Sequence, residues 1–116
     1  TDLYLDGSST RLTIASGRAM TFDILVVGRS NDAGGNESAG YRITGIIENV
    51  GGTTAFIGTP SVTALGEDDA AWGVQVLADD TNDALSVQVR GNGETIRWVA
   101  TVRTAEVAWL SGGVCW

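Results

Sequence analysis

Lysine and histidine are both missing from this 116-residue chain, and its seven cations are all arginine. Without them no Ser-His-Asp triad, Cys-His pair, Schiff-base lysine, phosphate-loop lysine or imidazole-ligated metal can be built. Any catalysis falls to carboxylates, hydroxyls, Arg or the lone Cys115. A single cysteine also excludes an intrachain disulfide and every CxxC redox or zinc motif. No run approaches the roughly 20 apolar residues of a membrane helix. No basic segment followed by an apolar stretch and small residues marks a signal peptide. Neither membrane insertion nor a cofactor is expected.

What is present suits one small domain. Hydrophobic residues make up 43% and charged residues 18%, enough apolar material for a core and no compositional sign of disorder. Fourteen acids set the formal charge at −7, and the pI is near 4.2. Phosphate backbones would repel such a surface unless the Arg residues gathered on one face, so nucleic acid is not an expected partner. Strand-like sequence starts almost immediately after Thr1, which reads as a cut from a longer polypeptide.

Glycine occurs 16 times, and Pro60 is the only proline. Short Val/Ile/Thr-rich runs between Gly, Asn, Asp and Ser clusters are the pattern of an all-β antiparallel β-sandwich or jelly roll. No amphipathic helix is legible. Strands are expected at 3–6, 10–15, 19–29, 40–49, 53–57, 61–65, 71–79, 84–90 and 95–103. In the third run Met20, Phe22, Ile24 and Val26 share a face, and Leu25 with Val27 makes the other face partly apolar, which predicts a central strand. The fourth divides Tyr41, Ile43 and Ile47 from Arg42, Thr44, Ile46 and Glu48, so one of its faces meets solvent or a partner.

Asn92-Gly93, between two alternating runs, favours a two-residue hairpin. Pairs summing to 185 would then oppose Val89 to Ile96, Val87 to Trp98 and Leu85 to Ala100. A turn at Thr81-Asn82, with pairs summing to 163, opposes Ala78 to Leu85, Val76 to Val87 and Val74 to Val89. Together these predict a three-stranded meander over about 71–103 with one apolar face. Arg90, Arg97 and Arg103 fall on its opposite face. An anion or acidic glycan could meet them there, although pairing with nearby carboxylates is the simpler expectation.

Acidic residues gather in apparent loops: Asp32 and Glu37 with Asn36, then Glu67-Asp68-Asp69, then Asp79-Asp80 with Asp83. Calcium is the sharp reading, but the twelve-residue loop motif fails in both places tested. Position twelve is Arg90 counting from Asp79 and Ile43 counting from Asp32. Solvated Asx turns explain them better, and no metal site is expected. A glycosidase needs one particular carboxylate pair, and nothing selects two of fourteen. The chain is therefore expected not to be an enzyme. Asp32, Asn36, Glu37, Tyr41, Asp80 and Asp83 remain as candidate surface-binding loop residues.

Trp72 and Trp98 fit the inward period and are expected in the core. Residues 108–116 form an apolar tail after a module spanning 1–107. Apolar chain ends need something to dock on, so Trp109, Leu110, Val114 and Trp116 are expected at a subunit interface, with Cys115 a small buried group.

Several segments carry a resemblance: Leu3-Tyr4-Leu5-Asp6-Gly7-Ser8-Ser9, Asn36-Glu37-Ser38-Ala39-Gly40-Tyr41, Leu65-Gly66-Glu67-Asp68 with Ala71-Trp72, and 94–104. Together they resemble C-terminal β-modules of phage and prophage tail-fibre-like virion proteins, over roughly residues 2–107. The resemblance implies a non-enzymatic part of a virion appendage, extracellular, forming a homo-oligomer (a trimer), contacting other virion proteins and attaching to a host-surface glycan. It names no catalytic residue. The alternatives are a capsid decoration protein and a carbohydrate-binding module with Tyr41 stacking on sugar.

Overall fold

A computed structural model describes residues 2–3, 10–30, 36–93 and 95–109. Nine strands run in order β1 (Asp2–Leu3), β2 (Leu12–Thr13), β3 (Arg18–Ser30), β4 (Ser38–Val50), β5 (Thr53–Phe56), β6 (Ser61–Glu67), β7 (Gly73–Asp79), β8 (Ala84–Arg90) and β9 (Ile96–Ala108), with no helix among the described residues. They form two antiparallel sheets. In the smaller, β8 pairs with β7, β1 and β2; in the larger, β4 pairs with β5, β6 and β3, and β3 pairs with β9. The chain is an antiparallel β-sandwich.

The larger sheet is built on β3, whose alternation decides what faces inward. Met20, Phe22, Ile24 and Val26 are buried, and the register sets them opposite Ile47, Gly45, Ile43 and Tyr41 of β4. From the facing sheet Val76, Leu85, Val87 and Val89 close the core, with Ile14 and Trp72 filling its ends. Two glycines make room for rings. Gly45 lies opposite Phe22, and a Cβ there would come within 2.6 Å of the Phe22 ring; Gly28 lies opposite Trp98, with the same 2.6 Å approach. Each aromatic side chain lies over bare backbone, the device by which a cross-strand ring covers a strand glycine.

The β7–β8 hairpin has the expected register, with Val74 opposite Val89, Val76 opposite Val87 and Ala78 opposite Leu85. Its supposed third strand goes elsewhere. β9 leaves the smaller sheet and pairs with β3 over thirteen residues, placing Trp98 opposite Gly28 and Val102 opposite Ile24. At Asn92-Gly93 only Gly93 has a positive φ, 96°, whereas a type I′ hairpin needs it at both central residues. The physical reason is that β9's apolar period satisfies either sheet. β8 offers seven residues, while β3 offers thirteen and an open edge. Ile96, Trp98, Ala100 and Val102 still face the core, now from the other layer. Trp98 meets Trp72 across it, with ring centroids 5.7 Å apart at 58°.

Candidate interaction surface

Moving β9 into the larger sheet brings together arginines that are distant in sequence. On the outer face the register runs in rows: Ser38, Arg29 and Arg97; then Gly40, Val27 and Val99; then Arg42, Leu25 and Thr101; then Thr44, Asp23 and Arg103. Arg29, Arg42, Arg97 and Arg103 are all exposed. Between them lies an aliphatic strip, Leu25 50%, Val27 53% and Val99 63% exposed. Two adjoining shallow depressions follow these rows, one lined by Val27, Arg29, Thr95, Arg97 and Val99, the other by Asp23, Leu25, Arg42, Thr101 and Arg103.

Asp23 is the carboxylate at the centre of this face. The Arg42 guanidinium holds it in a two-point contact, Nε to Oδ1 at 3.0 Å and Nη2 to Oδ2 at 2.8 Å. That hydrogen-bonded pairing holds Asp23 below the ordinary carboxylate value, with Arg103 adding attraction. Arg29 donates to the Ser38 hydroxyl at 2.9 Å. Among the described residues Arg97 and Arg103 have no carboxylate within salt-bridge reach. Arg97 lies beside Arg29 in one row, and like charges side by side favour an arriving anion. β9 also has no strand on its outer edge among the described residues.

The smaller sheet's outer face has a different chemistry. Asp2 accepts from Gln88 Nε2 at 2.8 Å and from the Ser86 hydroxyl, and Arg11 bridges Asp2 and Asp79. The Gln88 amide chiefly keeps Asp2 in its charged form, its pKa lowered. At the β7–β8 turn, Asp79 accepts from Asn82 Nδ2 at 2.7 Å and from the Asn82 backbone N–H, which lowers its pKa too.

The candidate loop residues separate on inspection. Asp80 accepts the Thr54 backbone N–H at 2.8 Å and Asp83 the Thr54 hydroxyl at 2.9 Å, so both pin the turn against β5. Asp83 also adopts φ 49°, a conformation Asp tolerates. Asn36 is exposed, and Glu37 is half-buried beside Ser30, its N–H donating to the Ser30 hydroxyl. Tyr41 is not a loop residue. It is 3% exposed on β4, and its hydroxyl donates to Glu67 at 2.7 Å. Burial, with that hydrogen bond, pushes its phenol up to about 12. Its ring is therefore core and unavailable to stack on sugar. Asp32, Leu110, Val114 and Trp116 lie outside the described residues, while Trp109 is 76% exposed with its backbone N–H donating to the Gly17 carbonyl at 3.1 Å.

No family model, curated protein or solved structure matches the chain. Among the described residues no group of three or more Cys, Asp or Glu is arranged to hold a metal ion, and no helix is long and apolar enough to cross a membrane. The arginine face escaped the sequence reading because it is made by β3–β9 pairing. Two parts of it were legible, Arg97 and Arg103 on one outward side of the last strand and the mixed outer face of β3, where Leu25 and Val27 alternate with the core residues. Arg90, grouped in sequence with Arg97 and Arg103, instead belongs to the smaller sheet, where its Nε donates to the Ala71 carbonyl.

Proposed function

We propose that this chain is a non-enzymatic structural module of a phage or prophage virion appendage, a tail fibre or tail protein, that assembles as a homotrimer and carries loops able to meet a host surface. The observation that carries this reading is the larger sheet's outer side, where exposed Leu25, Val27 and Val99 adjoin the open edge of the thirteen-residue β9. Such faces and edges are covered by copies or partners in working assemblies. The resemblance of 2–107 to tail-fibre-like modules supplies the setting, a virion outside the cell. Capsid decoration would use the same surface against a shell.

Light scattering on the purified chain tests the reading: the expected mass is three times 12.1 kDa. A stable monomer at micromolar concentration would overturn the trimer. Imaging of labelled particles places the module on tail or shell, and labelling of neither would remove the virion role.

A further inference from the structure

We infer that the arginine-rich outer face of the larger sheet docks head to tail on the acidic β7–β8 turn of a second copy of this chain. The inference deepens the homo-oligomer reading and rests on it.

Charge is the first argument. The strand residues of this face carry Arg29, Arg42, Arg97 and Arg103 against Asp23 and Glu48, a net +2. Since the whole chain is −7, everything else sums to −9. The strand face is thus net cationic in a chain that is net anionic. Complementary potentials of this kind steer association and set orientation. A two-fold, face-to-face contact would oppose two net-positive faces. A heterologous contact, face onto turn, joins unlike charges and can close a ring.

Composition agrees. Arginines around an aliphatic centre are the make-up of a protein interface, whose middle loses charge while Arg is enriched. None of the strand residues on this face is aromatic, which disfavours a sugar platform.

The turn is a suitable counterpart. Asp79, Asp80 and Asp83 fall within five residues on the smaller sheet, the layer opposite the arginine face. Asp79 is oriented by Asn82 and shares Arg11 with Asp2, while Asp80 and Asp83 are oriented by Thr54. A carboxylate has about four acceptor sites, so each keeps capacity for an arriving guanidinium.

Two charge-reversed chains test this, R97E/R103E on the face and D79R/D80R on the turn, each followed by sedimentation and checked by circular dichroism. Each alone should associate at least tenfold more weakly than the parent, and increasingly so at low salt. Combined on one chain, R97E/R103E/D79R/D80R, the reversals should recover association, because every junction of the ring then again joins unlike charges. R97Q/R103Q, with charge removed rather than reversed, gives the same direction if a reversed chain misfolds. A parent trimer unaffected by either pair overturns the inference and leaves the homo-oligomer reading standing. A parent that stays monomeric overturns both. Retention on immobilised polygalacturonate that is lost in R97Q/R103Q, with assembly unchanged, would assign the face to an acidic polysaccharide instead and also overturn it.

Discussion

Gly28 and Gly45 show how much a missing Cβ decides in this chain. Each is the bare site over which a ring packs, Trp98 on one and Phe22 on the other. Replacing Gly45 with Val would push a branched side chain into the Phe22 ring, and overpacking of this kind typically costs about 1–3 kcal/mol. The expected result is a lower urea midpoint with an unchanged slope. An unaltered midpoint would mean that the ring gives way freely. Such positions are invisible in the sequence, where Gly45 looks like an interruption in a β-run rather than a socket.

Asn49 makes the same point for the elements it joins. It is the penultimate residue of β4, is 2% exposed, donates from Nδ2 to the Ile14 carbonyl at 2.8 Å and accepts the Gly52 N–H at 2.9 Å. One amide thus ties the β2–β3 link to the β4–β5 turn. Asn49→Ala would strand the buried Ile14 carbonyl, and such a loss costs about 1–3 kcal/mol. Thermal unfolding should show a lowered midpoint, and Asn49→Asp should not restore it, since a carboxylate cannot donate. The nine strands among the described residues were legible, most within two residues, because hydrophobic alternation is a local property. The 84–90 strand and the β7–β8 register were read correctly for the same reason. The partner of β9 was not. A strand with one apolar face states that it belongs in a sheet, and two sheets facing a common core present it with equivalent choices.

For the molecule as a whole, the buried Tyr41 hydroxyl predicts an alkaline limit. Its folded pKa is raised from 10.0 to about 12 by burial and by its bond to Glu67. A raised pKa means the folded state favours the protonated phenol. That stability is complete below pH 10 and lost as pH rises from there toward about 12. The Tyr41 phenolate absorbance should appear late and together with loss of β-structure, and Tyr41→Phe should remove that late step. An ordinary single titration near 10 for both tyrosines would contradict it. Because Tyr41 lies in the core beneath the arginine face, this limit reports sandwich integrity rather than surface charge.

The residues themselves determine that this chain is all-β, acidic, free of Lys and His, and built from ribbons with one oily side, since composition and period-two alternation need no knowledge of neighbours in space. Tertiary structure alone decided which ribbon lies beside which. That choice fixed the Tyr41, Ile43 and Ile47 side of β4 as core and sent β9 across to β3. It also gathered Arg29 and Arg42 with Arg97 and Arg103, more than fifty residues away, on one face. Burial and adjacency arise from competition among all the strands for a single core, so a surface assembled from distant segments exists only once that competition has been resolved.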